Sequence, residues 1–201
     1  METLNFASAV KKIYESKFYF FSNKTLQDCI EVKNANTFFK YVKKLVNENI
    51  LVKVERGKYL LKNAKFSDFE LANFLVTPSY VSFESALNFY GILSQFPYEI
   101  TSVTPKKTRI KKYNKTVFSY HHFDKELFFG YQKVDNFLIA LPEKALLDEI
   151  YLTAKGLKSI DFKELDLKKI KKNLIKEFLN KYPKTKQFIS LINKLKDMKI
   201  L

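Results

Sequence analysis

The sequence is poor in several residue types, and each scarcity narrows what the protein can be. Its single cysteine, Cys29, excludes an internal disulfide framework and a zinc site built from several cysteines, and it is typical of a reducing compartment. Four glycines in 201 residues are too few for a glycine-rich phosphate-binding loop. The sequence also lacks the Gly-x-Ser-x-Gly motif of many hydrolases.

Long hydrophobic runs are missing as well. No apolar run approaches the ~18 residues needed to span a bilayer, and the first residues lack the apolar core of a signal peptide. We therefore expect a cytoplasmic protein with no membrane partner. At 46% hydrophobic and 16% aromatic residues, the chain can build packed cores, so wholesale disorder is not expected.

Positive charge dominates, and it lies mostly at the two ends of the chain. Of the net +15, residues 1–63 carry +6, residues 64–156 carry +1 and residues 157–201 carry +8. Basic ends favour a polyanionic partner, most often nucleic acid. The alternative is a merely solubilising surface, since 34 of the 36 basic residues are lysine, as is common in proteins from AT-rich genomes.

The first 63 residues show the pattern of three helices followed by a hairpin. Apolar residues recur at helical spacing, and Ser22 or Asn23 can cap the second helix. Gly57 supplies the positive φ that a tight hairpin turn needs. The predicted segments are helix 4–17, a brief strand or connector 18–21, helix 24–29, turn 31–34, a helix to about residue 47, and strands 50–54 and 58–61.

This order predicts a winged helix-turn-helix domain over residues 1–63. The third helix would enter the major groove of duplex DNA, and the hairpin would reach the neighbouring backbone. Asparagine can bond adenine edges, threonine can touch a thymine methyl, and lysines meet phosphates. An ordinary solvated helix face is the alternative. The candidate DNA-binding residues are Asn34, Asn36, Thr37, Lys40, Tyr41, Lys43, Lys44, Lys53, Arg56 and Lys58.

Residues 64–201 predict a second, mixed α/β domain with a helical C-terminal part, which makes the chain α+β overall. Capping-box spacing at Ser67 and a first-turn proline at Pro142 mark helix starts. The predicted helices are 67–75, 82–89 and 142–153, and the predicted strands are 100–104, 116–120 and 137–140. Two further helices flank Pro183, with the apolar stripes Leu167, Ile170, Leu174, Phe178 and Phe188, Leu191, Ile192, Leu195, Met198.

The first of these two C-terminal helices is strongly basic. It would carry lysines opposite its apolar stripe and could make a secondary DNA contact. A plain solvated face is an equal alternative, and attachment to a membrane surface is a weaker one. The residues concerned are Lys168, Lys169, Lys172 and Lys176, with Lys171 beside them.

The sequence offers little for catalysis or metal binding. His121 and His122 are the only histidines, and on a strand they would point to opposite faces. We therefore expect no metal, no cofactor and no enzymatic activity. The alternative is a nuclease or nucleic-acid-modifying enzyme targeted by a winged helix. Its candidate acids would be Glu84, Glu99, Asp124, Glu126, Glu143 and Asp148.

Four stretches in the second domain resemble the AbiEi-type antitoxins of bacterial abortive-infection systems. They are SYVSFESALNFYGIL (79–93), TSVTPKKTR (101–109), FSYHHFDKELFFGY (118–131) and IALPEKALLDEIYL (139–152). The resemblance covers nearly the whole chain, because members of that family also begin with a winged helix.

The resemblance implies a type IV antitoxin that also represses its own operon. Residues 1–63 would bind inverted repeats in the promoter, and residues 64–201 would neutralise a co-encoded nucleotidyltransferase-like toxin without necessarily forming a stable complex. We expect a monomer in solution, two copies of which bind DNA cooperatively when the half-sites lie a whole number of helical turns apart.

Overall fold

The computed structural model describes residues 5–197, which form eight α-helices and nine strands in two separate sheets. The chain is thus a mixed α+β protein, as the sequence predicts. It divides into two compact units between Phe66 and Ser67, whereas the sequence placed the boundary after residue 63. None of the helices within residues 5–197 is long and apolar enough to cross a membrane.

The first unit is built from three helices and a three-stranded antiparallel sheet. The strand order is β1-β3-β2, so the hairpin formed by β2 and β3 is extended by β1. Of the predicted first helix, Leu4 lies outside the described residues. The elements are α1 (Phe6–Glu15), β1 (Phe20–Ser22), α2 (Asn23–Ile30), α3 (Ala35–Asn47), β2 (Leu51–Glu55) and β3 (Lys58–Leu61).

One apolar cluster holds this unit together. Each helix contributes residues at i, i+3 or i+4 spacing, because such residues share one face. Burying each large side chain stabilises the fold by about 1.5–3 kcal/mol. The fully buried members include Ile13, Phe21, Leu26, Ile30, Phe38 and Leu45.

The second unit is a six-stranded mixed sheet with helices. The strand order is β6-β7-β5-β4-β9-β8; the pairs β5–β7 and β4–β9 are parallel and the others are antiparallel. The elements are α4 (Asp68–Leu75), β4 (Tyr80–Val81), α5 (Phe83–Phe89), β5 (Glu99–Thr104), β6 (Arg109–Tyr113), β7 (Thr116–His122), β8 (Tyr131–Val134), β9 (Phe137–Ala140), α6 (Pro142–Ala154), α7 (Lys172–Leu179) and α8 (Lys186–Asp197).

Local signals place two of these helices correctly. The Ser67 hydroxyl accepts from the Glu70 backbone N–H at 3.2 Å, and the Glu70 carboxylate accepts from the Ser67 N–H at 2.6 Å. This is the predicted capping box. Pro142 occupies the first turn of α6, where its missing N–H costs nothing.

The predicted basic helix beginning near Leu167 is wrong in its first half. The Asp166 side chain accepts from the Lys168 N–H at 3.3 Å and closes a short 3₁₀ turn. The Lys171 N–H then donates to the Glu143 carboxylate at 2.8 Å, which ties the chain to α6. Regular helix therefore starts only at α7.

Three short strands, β4, β6 and β8, were not predicted from the sequence. Met198 of the predicted last stripe lies outside the described residues.

A buried ion pair lies at the centre of the second unit. Lys144 and Asp148, one turn apart on α6, pair directly and are both fully shielded from solvent. Asp148 also accepts from the hydroxyls of Tyr182 (2.6 Å), Ser82 (2.7 Å) and Tyr80 (3.2 Å). The carboxylate thus has four donors from three parts of the chain, which is what a buried charge requires.

Aromatic rings surround the lysine of this pair. Its ammonium lies 4.8 Å from the ring centre of Phe129, 5.0 Å from Tyr182 and 5.3 Å from Phe123. Burial lowers the pKa of Lys144, and the neighbouring Asp148 opposes that shift. Burial, together with the charge of Asp148, raises the pKa of Tyr182 well above its ordinary value. The cation is therefore held by one carboxylate, by the Tyr182 hydroxyl, to which it donates at 2.7 Å, and by a shell of π faces.

Replacing Lys144 with Met should destabilise the protein by about 3–5 kcal/mol, because the substitution leaves the Asp148 charge buried without its cation. Unfolding in urea measures the loss. The double variant Lys144→Met/Asp148→Asn should recover most of the stability, since it buries no charge and keeps an acceptor for the three hydroxyl groups. Equal stability of the single variant and the unmodified chain would contradict this role for the pair.

Candidate nucleic-acid interface

A four-residue turn connects α2 to α3 and sets the direction of the third helix. Glu31 ends α2 in the left-handed conformation (φ 56°), a position that glycine usually occupies. The Gln27 amide donates to the carbonyls of Val32 (2.9 Å) and Lys33 (3.3 Å), which fixes the turn. The buried Val32 anchors it to the core. The start of α3 is thereby held in place while its first residues stay exposed.

Helix α3 has one buried and one open face. Phe38, Val42 and Leu45 are buried in the core of the first unit. The opposite face presents Asn36, Lys40 and Lys43 to solvent, with Thr37 exposed beside them. No residue between 35 and 47 is acidic. The arrangement offers amide and ammonium donors to a polyanion.

Three of the predicted contact residues on α3 have structural roles. The Asn34 side-chain oxygen caps the helix by accepting from the Thr37 N–H at 3.0 Å. Tyr41 is half-buried, with its ring stacked on Phe6 at 6.4 Å. The Lys44 ammonium lies 4.2 Å from the centre of the same Phe6 ring. Tyr41 and Lys44 thus stabilise the packing of α1 on α3 through Phe6, whereas Asn34 stabilises the start of α3 itself.

The hairpin between β2 and β3 carries the other predicted cations. Arg56 is exposed at its tip, and Lys53 is exposed on β2. Lys58 is half-buried and pairs with Glu55 at 2.7 Å, so its charge is largely compensated. Gly57 has φ +75° at the turn, and its carbonyl accepts from the Asn23 N–H at 2.9 Å. The tip is therefore fixed against the start of α2.

The predicted secondary contact in the second unit is not a single helical surface. The Lys169 ammonium donates to the carbonyls of Tyr90 (2.9 Å) and Gly91 (3.2 Å), where it complements the C-terminal end of α5. Lys168 lies in the 3₁₀ turn, and Lys172 and Lys176 are exposed on α7. The four lysines thus occupy two elements rather than one helix face.

The acids weighed for catalysis occupy separate positions in the second unit. Asp148 belongs to the buried ion pair, and the Glu143 carboxylate accepts from the Lys171 backbone N–H. Glu99 accepts from the Ser119 hydroxyl. His122 and Asp124 are exposed, 3.5 Å apart. Within residues 5–197, no three His, Cys, Asp or Glu side chains come together in a way that could hold a metal ion.

A carboxyl pair beside Lys158 was not anticipated from the sequence. The Lys158 ammonium contacts Glu84 of α5 directly and lies 3.8 Å from a carboxylate oxygen of Glu149 on α6. Burial, followed by the charge of Glu84, raises the pKa of Glu149 to about 8, while Lys158 opposes the shift. The Lys158 ammonium thus lies beside the carboxyl groups of both Glu84 and Glu149, and Glu149 holds a proton at neutral pH.

Neither the models of known protein families nor the curated proteins contain a match to this chain.

Stability should fall as the pH rises through neutrality, because Glu149 is protonated in the folded state up to about pH 8 but ionises near its ordinary value of 4.5 when unfolded. Between these values the folded state binds the extra proton. Urea midpoints at pH 6 and pH 8.5 measure the effect, and Glu149→Gln should flatten the difference. An identical pH dependence in the variant would refute the assignment.

Proposed function

We propose that the chain is a DNA-binding autorepressor whose first unit is a winged helix-turn-helix domain. The observation that carries the proposal is the open face of α3, with Asn36, Lys40 and Lys43, on the same compact unit as a hairpin tipped by Arg56. The order helix, strand, helix, helix, hairpin supports it, as does the short fixed turn before α3. The ligand would be duplex DNA carrying inverted repeats in the chain's own promoter.

Within this proposal the residues have different tasks. The exposed first turn of α3 would meet base edges through Asn36 and Thr37, since recognition helices read bases with their N-terminal residues. Lys40, Lys43 and Arg56 would neutralise phosphates and fix the register. Tyr41 and Lys44 would act indirectly, by holding α3 against α1, and Asn34 would do so by capping the start of α3.

The second half of the proposal is that residues 67–201 act as an antitoxin in a cytoplasmic type IV toxin–antitoxin system. It rests on the resemblance of four stretches to AbiEi-type antitoxins. All four belong to the sheet and helices of the second unit, covering β4 with α5, β5, β7, and β9 with α6. The partner would be a co-encoded nucleotidyltransferase-like toxin. No catalytic step and no cofactor are part of this function.

The triple variant Lys40→Ala/Lys43→Ala/Arg56→Ala should bind DNA from upstream of its own gene more weakly, by on the order of 1 kcal/mol per lost contact. The slope of log affinity against log salt should fall by about 0.9 for each phosphate contact removed. Anisotropy titrations between 50 and 300 mM salt provide both values.

The matched control removes three exposed lysines elsewhere in the first unit, Lys11, Lys62 and Lys65. It lowers the net charge equally but should leave the salt slope within about one unit of the original. If control and triple variant lose the same affinity, binding follows net charge and the proposed α3 surface is wrong.

Residues 67–201 produced alone should restore growth to cells that express the co-encoded toxin, because the second unit has its own core. Residues 1–66 alone should not. Circular dichroism first establishes that each fragment is folded. Rescue by the full chain combined with no rescue by a folded 67–201 fragment would refute this division of labour.

A further inference from the structure

The near-neutral middle of the chain conceals a strongly basic segment. Residues 100–123 contain six cationic residues and no aspartate or glutamate. The net charge of residues 64–156 does not reveal them, because it is close to zero: the ten acids of that region nearly cancel its basic charge, although all ten lie outside this segment. The six are Lys106, Lys107, Arg109, Lys111, Lys112 and Lys115.

These cations line one edge of the six-stranded sheet. Strand β6 is the first in the sheet order and carries Arg109 and Lys112. Lys106 and Lys107 precede it and Lys115 follows it in the turn to β7, all three exposed. At ~3.3 Å per residue, β6 alone is about 16 Å long. Positive charge therefore runs along the edge and continues beyond both ends of the strand.

Two aromatic side chains are far more exposed than ordinary packing explains. Phe96 is 86% and Tyr98 fully exposed to solvent, which makes them the most exposed large hydrophobic residues in the described part of the chain. The loop that carries them is tied down at its start, because the Asn88 amide donates to the carbonyls of Leu93 (3.1 Å) and Gln95 (3.0 Å). The rings are thus presented by an anchored loop.

Strand register brings the aromatic loop and the basic edge to the same end of the sheet. Tyr98 directly precedes Glu99, which pairs with Val117 on β7. Val117 in turn pairs with Lys112 on β6, two residues before the turn that holds Asn114 and Lys115. The exposed residues Lys112 and Lys115 therefore lie at the end of the sheet that carries Phe96 and Tyr98, and the remaining cations continue along the edge towards the opposite end.

We propose that this surface, formed by Phe96, Tyr98 and the β6 cations, binds single-stranded nucleic acid. Unstacked bases would lie on the two rings, and the phosphates would follow the lysines along the edge. A duplex does not fit the rings, since its bases already stack on one another. Two carboxylates next to this end of the sheet accept hydrogen bonds from hydroxyl groups: Asp68 from Thr116 at 3.3 Å, and Glu99 from Ser119.

Charge favours a polyanion over a protein partner. An apolar docking site for a protein would need the rings but not six cations in an acid-free segment. Stacking on π faces is tolerant of sequence, and RNA and single-stranded DNA share the chemistry used here. The inference goes beyond the proposed function, because it places a second nucleic-acid site on the unit that does not carry α3.

The test uses the full chain and fluorescein-labelled 12-nucleotide single strands of RNA and of DNA, followed by anisotropy. Phe96→Ala/Tyr98→Ala should weaken binding at least about tenfold. Tyr98→Trp should keep the affinity, and because the chain has no other tryptophan, its fluorescence should be quenched as a base stacks on it. Lys112→Ala/Lys115→Ala should lower the salt slope by about 1.4.

Matched controls remove similar groups elsewhere. Leu157→Ala removes a 65% exposed apolar side chain, and Lys133→Ala removes an exposed lysine from β8 at the opposite edge of the sheet. Neither should change single-strand affinity. The variant Lys40→Ala/Lys43→Ala/Arg56→Ala should also keep it, which separates this site from the duplex site of the first unit.

Binding of RNA, of single-stranded DNA or of both, with loss in the ring variant, supports the proposal, and the two arms identify the natural source. Unchanged affinity after Phe96→Ala/Tyr98→Ala, or no quenching of the Tyr98→Trp variant by saturating single strand, overturns it. Loss of toxin neutralisation in the ring variant with no single-strand binding by the unmodified chain would assign the surface to a protein partner and equally overturn it.

Discussion

The second unit depends on a charge that cannot reach water. Lys144 can be buried because Asp148 lies one turn away on α6. Hydroxyl groups of Tyr80 on β4, of Ser82 just before α5 and of Tyr182 after α7 converge on that carboxylate. The pair therefore joins the helical C-terminal part to the sheet. Apolar packing alone would be non-directional, whereas four donors to one carboxylate specify a single arrangement.

The first unit meets a different constraint, since helix α3 must pack inward with one face and still present a polar face to solvent. The left-handed residue Glu31 and the Gln27 side chain fix the turn before α3. Phe6 on α1 then contacts both the ring of Tyr41 and the ammonium group of Lys44. The DNA-binding surface that we propose is what remains once these packing needs are met.

Sequence reasoning succeeded where the signal was local. The Ser67 capping box and Pro142 each mark the start of a helix, and each signal is contained in a stretch of at most four residues. It failed where the signal was tertiary: the late start of α7 depends on Glu143, 28 residues away, and no pattern marks Lys44 as a partner of Phe6. Averaging charge over long segments also hid the basic β6 edge, which a shorter window would have found.

Crosslinking from a defined position on α3 shows whether the first turn of this helix lies against the bases of duplex DNA. Asn36→Cys in a Cys29→Ser background can carry a photoreactive group, with Lys62→Cys as the control on the same unit. We expect crosslinks to bases of upstream duplex DNA from position 36 and few from position 62. Equal yields from both positions, or crosslinks from position 62 alone, would contradict it.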